Sequence, residues 1–108
     1  MTRMWMVDPR GLCRQHLLGE HRELHQEVGL IRAGHLAAVR GHARERQVDT
    51  ARIVERHETL VAEMDRRGFD HSSPMDYEDD LELGEVDAAA NREELKERCE
   101  ACRERMED

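Results

Sequence analysis

Between residues 53 and 64, Ile53, His57, Leu60 and Met64 recur at intervals of four, three and four, with Val61 beside them. That is the period of a helix that buries one face, and it is not a strand's alternation. Asp49 or Thr50 is placed to cap this helix, and Arg66 and Arg67 fall in its last turn, where cations suit the helix dipole. Gly68 followed by Phe69 reads as a left-handed stop with an apolar contact after it. The same spacing, less cleanly, puts Cys13, Leu17, Leu24 and Val28 on one side of an earlier helix, started by Asp8-Pro9 and stopped at Gly29. Ile31, Leu36 and Val39 suggest a short helix interrupted by Gly34 and Gly41. Asn91, with Glu94 three residues on, reads as the cap of a last helix whose stripe is Leu95, Cys99, Cys102 and Met106. The pattern predicts an all-α protein: a single compact helical domain with three main helices and short connecting helices. Residues 1–75 form its main part, 76–90 an acidic linker, and 91–108 a C-terminal helix on the same core.

Composition narrows the class. Charged residues make up 39% of the 108 positions, hydrophobic ones 38% and aromatic ones 3%, which suits a small helical protein and excludes a fibrous repeat. The apolar runs are only a few residues long, and no basic segment precedes an apolar one. Neither a membrane span nor a secretory leader is expected, and the cytoplasm is the expected location. Three cysteines are an odd number, read as reduced thiols and not as a disulfide framework. The formal charge is −8 and uneven: residues 1–67 hold 12 Arg and 10 acids, whereas residues 68–108 hold 5 bases and 15 acids. Only the front of the chain is suited to meet an anion, and all but one of the 17 bases are Arg, whose planar fork fits phosphate.

The first helix carries a second face made of Gln15, Gly19, Arg22 and Gln26, flanked by His16 and Glu23. It reads either as a solvated surface or as a ligand face that glycine leaves open. Cys99-x-x-Cys102, with Cys13 and a histidine, admits a zinc reading; one such pair is a weak signal, so packing of small buried thiols is preferred and no metal ligand is assigned. His57 reads as a core histidine, His21 and His25 as borders of the buried side, and Trp5 as core in preference to a base-stacking ring. The acidic stretch from Asp76 to Asp87 reads as solvated surface, with a cover over a basic groove as the other reading.

Thr2-Arg3, then Gln15-His16-Leu17-Leu18-Gly19-Glu20-His21-Arg22-Glu23-Leu24-His25, and later Met64-Asp65-Arg66-Arg67-Gly68-Phe69 with His71-Ser72-Ser73-Pro74, resemble the phage pyrimidine-dimer DNA glycosylase family, also called dimer-specific endonuclease V. The resemblance covers roughly residues 1–75. It implies a compact helical enzyme of DNA repair, a glycosylase with abasic-site lyase activity. The implied nucleophile is the α-amine of Thr2 after removal of Met1, and Glu23 would stabilise the sugar cation and move protons. Arg3, Gln15, His16 and Arg22 would contact DNA. His71 falls in the shared stretch and is a lesser candidate. The implied partner is damaged double-stranded DNA, with no cofactor, no membrane, no obligate protein partner and a monomeric state. The chain departs from the family at Gln26, where a base would face DNA, and in lacking a basic, aromatic-rich C-terminal segment. An idle DNA- or protein-binding copy of the scaffold, and a zinc-stabilised regulator, are the readings from other classes.

Overall fold

The computed structural model describes residues 3–70 and 73–107. Among them the order is a 3-10 turn (Pro9–Gly11), α1 (Arg14–Arg32), α2 (Leu36–Arg44), a second 3-10 turn (Thr50–Arg52), α3 (Ile53–Arg66), α4 (Ala88–Arg98) and α5 (Glu100–Met106), with no strand. The all-α class is as the periodicity requires, but several boundaries move for physical reasons.

Pro9 starts only a 3-10 turn, in which the Asp8 carboxylate accepts from the Arg10 amide at 3.0 Å. Leu12 and Cys13 are then extended, and α1 begins at Arg14. The carbonyls of Pro9 and Leu12 accept from the Arg67 guanidinium at 3.1 and 2.8 Å, and Leu12 is fully buried by the detour. Gly29 does not stop α1. The helix runs on to Arg32, keeping Val28 in the core and Ile31 against it, and reverses at Gly34, φ +81°. Gly41 lies inside α2 and does not interrupt it.

Gly68 behaves as expected: φ is +82°, its amide donates to Asp65, and the Phe69 amide reaches back to the Met64 carbonyl at 2.9 Å. The last helix starts earlier than expected. Asp87, not Asn91, caps α4 by accepting from the Ala90 amide at 3.0 Å. The C-terminal helix is also two helices, broken at Cys99, whose φ of −131° is extended.

The core is built where these helices meet. Met4, Leu12, Leu17, Leu24, Ile53, Leu60, Leu95 and Cys102 are fully buried, with α1 packed on α3 and α2, and α5 packed on the Pro9–Gly11 turn. Polar side chains hold what the apolar stripe leaves loose. Asn91 is 5% exposed and donates to the carbonyls of Met4 and Trp5 at 3.3 and 3.0 Å. The Met4 amide donates to Gln47 at 2.7 Å, and Arg56 reaches the Val7 carbonyl at 2.8 Å. The irregular segment at residues 4–7, left-handed at Met6 (φ +58°), is thereby fixed without regular secondary structure. Between α1 and α2, buried Glu27 accepts from His42 at 2.9 Å, while burial holds its carboxyl above its ordinary value.

The acidic stretch packs as a strap. Its Tyr77 and Val86, and Met75 just before it, lie against the core, and Leu83 exchanges bonds with Thr50, the amide of each donating at 2.8–2.9 Å. Gly84 closes the contact at φ +88°, and a Cβ there would stand 2.0 Å from the Val48 carbonyl oxygen. Gly84→Ala is therefore expected to destabilise the fold by about 2–4 kcal/mol in denaturant titrations, because left-handed strain and a backbone clash add. Gly68→Ala, with nothing within 4 Å of its Cβ, should cost only about 1–2 kcal/mol. Equal losses in the two variants would refute the clash.

Candidate active site

One cleft, of about 300 Å³, gathers the sequence-predicted residues that the structure describes: Arg3, Gln15, His16, Arg22 and Glu23 all line it. Gly19, Glu20, Trp5 and Arg98 complete the wall. α1 supplies the floor, since Gln15, Gly19 and Arg22 succeed one another along one helical face. A Cβ at Gly19 would meet no atom within 4 Å, so no protein contact demands glycine there, and its absence of a side chain leaves the helix backbone open to a ligand. Gln15, Arg22 and Gln26 are exposed; Gln26 does not line the cleft. Thr2 and His71 lie outside the described residues.

Glu23 is half-buried, and its Oε2 accepts from the Arg3 backbone amide at 3.0 Å. Burial raises its carboxyl above the ordinary value, although the Arg3 amide opposes the shift. The neighbouring Glu20 is not free in the same sense. It is buried and bound by the Arg56 guanidinium at 2.6 and 2.9 Å, so its charge is spent inside the protein.

The arginines differ in how far they are engaged. Arg22 is exposed and forms no ion pair among the described residues. The Arg3 guanidinium bonds Asn91 at 2.8 Å and Glu94 at 2.9 Å and lies 4.2 Å from the Trp5 ring centre, while its buried Nε has no hydrogen-bond partner among the described residues. Arg98 pairs with Glu94 at 2.9 Å and stands 5.8 Å from the same ring. Trp5 is only 6% exposed, so it packs in the core as expected, with an arginine against its face. Arg98 is a cleft residue that sequence reasoning missed. It lies 75 positions beyond Glu23, on a helix face with no apolar pattern to orient it.

His16 faces two ways. It lines the cleft, yet its Nδ1 stands 3.2 Å from the Cys13 sulfur and 3.5 Å from that of Cys102. Burial, and then the charge of Arg98, lowers its pKa, which favours the neutral ring. Three other histidines form a separate group: the rings of His21, His25 and His57 are 4.8–5.0 Å apart. His57 is fully buried, with Nδ1 at 3.0 Å from Glu58 and Nε2 at 3.1 Å from the Ser73 carbonyl, which makes it a core histidine.

A larger hollow of about 450 Å³ is lined by Arg10, Arg66, Arg92 and Arg105. It contains no carboxylate placed like Glu23, and Asp8 and Glu63 already neutralise Arg10 and Arg66 at 2.9 and 2.5 Å. Of these two, the smaller cleft is the one that sets an exposed arginine beside a half-buried carboxylate. No residue of the acidic strap lines that cleft, so the strap does not cover it.

This arrangement can hold an anion beside exposed Arg22 and Gln15, and can present a half-buried carboxylate to a developing cation. No curated protein and no solved structure matches the chain. A family model does, that of the pyrimidine dimer DNA glycosylases, and it matches residues 2–77. With most of the chain matched, and every cleft residue except Arg98 inside the matched span, the protein belongs to the pyrimidine dimer DNA glycosylase family.

Proposed function

We propose that this protein removes a damaged pyrimidine from duplex DNA with the α-amine of Thr2 as nucleophile, then cuts the strand at the resulting abasic sugar. The observation that carries the reading is the bond from the Arg3 amide to Glu23. Thr2 is joined covalently to that same nitrogen, so the residue bearing the amine is one peptide unit from the carboxylate. An α-amine has an ordinary pKa of about 7.7–8.0, and a useful fraction is neutral near pH 7, which a lysine achieves only by burial.

The amine forms a bond to the anomeric carbon as the bond to the base breaks, and the base leaves with the electron pair. Loss of the amine proton and ring opening give an imine. Removal of a proton from the adjacent sugar carbon then expels the 3′ phosphate by β-elimination. Glu23 offsets the positive charge that develops as the base departs and accepts protons in the later steps. Arg22, Gln15 and Arg3 bind the phosphates and sugar edges flanking the lesion, and His16 forms part of the wall beside them. The open backbone at Gly19 admits a nucleotide turned out of the stack, since the anomeric carbon is hard to reach within it.

Borohydride trapping on duplex DNA with one abasic site tests this reading. A covalent adduct mapping by mass to the Thr2 amine, on protein from which Met1 is absent, is the expected result. A protein lacking Met1 that binds the duplex and yields no adduct would overturn the amine mechanism and favour a binding protein on this scaffold.

A further inference from the structure

Four metal-ligating side chains converge at the back of the cleft wall, and of them only His16 also lines the cleft. Cys13 and His16 come from the start of α1, and Cys99 and Cys102 from the break between α4 and α5. Their donor atoms all lie within 4.8 Å of one another. We propose that Cys13, His16, Cys99 and Cys102 bind a single zinc-type divalent ion in a closed, tetrahedral, structural site.

The distances decide between this and simple packing of thiols. A tetrahedral zinc has bonds of about 2.3 Å to sulfur and about 2.0 Å to nitrogen, so its ligands stand about 3.8 Å apart for two sulfurs and about 3.5 Å for sulfur and nitrogen. The Cys13 and Cys99 sulfurs are 3.9 Å apart. His16 Nδ1 is 3.2 Å from one sulfur and 3.5 Å from another. These three separations lie within about 0.3 Å of the edges of a zinc tetrahedron, whereas a disulfide needs sulfurs about 2.05 Å apart. An imidazole nitrogen directed at two sulfurs is not what a small apolar cluster selects. The spacing agrees, because each half-site is a pair of ligands with two residues between, Cys13-x-x-His16 and Cys99-x-x-Cys102.

Backbone amides are aimed at the sulfurs. The Cys13 amide donates to the Cys102 sulfur at 3.2 Å, and the Cys102 amide donates to the Cys99 sulfur at 3.4 Å, which are the outer bonds that orient metal-bound sulfur. With four protein donors no position is left for substrate, so the role is to hold structure. The ion would pin residues 99–102, beyond the stretch matched to the family, to the first turn of α1. Arg98, next to Cys99, would thereby be kept in the cleft wall.

The test uses the full chain, purified without chelator, and does not depend on DNA. One equivalent of zinc per chain is expected by elemental analysis. Replacement by cobalt(II) should give the intense visible bands of a tetrahedral thiolate site. All three thiols should resist alkylation until a strong chelator is added, and chelation should lower the melting temperature by about 10 °C or more. Cys99→Ser and Cys102→Ser should each abolish stoichiometric binding, and His21→Ala should leave it intact. Three freely alkylated thiols in zinc-replete wild-type protein would overturn the proposal, and so would full metal retention in Cys99→Ser. The wild-type cobalt spectrum and thiol protection decide the matter even if a variant fails to fold.

Discussion

Glu23→Gln is expected to bind lesion-bearing duplex DNA as tightly as the parent protein and to release base about 10²- to 10⁴-fold more slowly in single-turnover assays. The substitution keeps the shape of the side chain, and its amide oxygen can still accept from the Arg3 amide, so the start of the chain should stay where the 3.0 Å bond holds it. What is lost is negative charge at the point where the departing base leaves a cation behind. Binding depends on other groups, Arg22 and Gln15 on the floor of the cleft. The two readouts should therefore separate, and release within threefold of the parent would remove Glu23 from the mechanism.

The pH profile sharpens the same expectation. Both the amine and Glu23 must be deprotonated for base release, so the rate should fall on the acid side in two stages. Below the amine's pKa the logarithm of the rate should fall with a slope of one. Below the pKa of Glu23 the slope should become two. Burial raises the Glu23 carboxyl above its ordinary 4.5, with the Arg3 amide opposing, so the second bend should lie above pH 4.5. In Glu23→Gln the second bend should vanish. A bend that persists in the variant would belong to another carboxyl.

The floor of the cleft was legible because it lies on one helix. Gln15, Gly19, Arg22 and Glu23 are spaced by the helical period, and a helix face can be read without knowing what packs on its other side. The core stripes of α1 and α3 were legible for the same reason. What the sequence concealed depends on partners far along the chain. Asn91 reads as a cap, yet it sits inside α4 because two backbone carbonyls 86 and 87 positions away need its amide. Arg98 enters the cleft from α4, which keeps only Leu95 of the stripe expected for the last helix because the helix breaks at Cys99. Cys99-x-x-Cys102 looks like half a site until Cys13-x-x-His16 is brought to it. That meeting requires α1 to begin at Arg14 and not at Pro9, a boundary set by the capture of the Pro9 and Leu12 carbonyls by Arg67. The missed features are thus long-range and polar, which periodicity cannot encode.

The largest loss of stability from a single substitution outside the cysteines is expected at Arg56. Its guanidinium is 4% exposed and grips both oxygens of Glu20, itself 1% exposed, at 2.6 and 2.9 Å. It also donates to the Val7 carbonyl at 2.8 Å. Arg56→Met should cost about 3–5 kcal/mol, because it leaves a carboxylate buried without its counter-charge and a carbonyl without its donor. That is a large part of the roughly 5–15 kcal/mol that holds a domain of this size, and it corresponds to a fall in melting temperature of roughly 15–25 °C. The attraction of the pair is not the source of the loss, since the desolvation of two charges offsets most of it. The orphaned charge is. Two companion variants separate these causes. Adding Glu20→Leu to Arg56→Met removes the orphan, and the double variant should recover much of the lost stability although the ion pair is gone. Arg10→Met breaks the exposed pair with Asp8, whose members are 72% and 59% exposed, and should leave the melt nearly unchanged. If the double variant is no more stable than Arg56→Met, the cost lies in the Val7 carbonyl and the packing of the arginine stem. The catalytic prediction would then inherit a test, because the segment from Met4 to Val7 that this carbonyl anchors carries the chain up to Arg3 and Glu23.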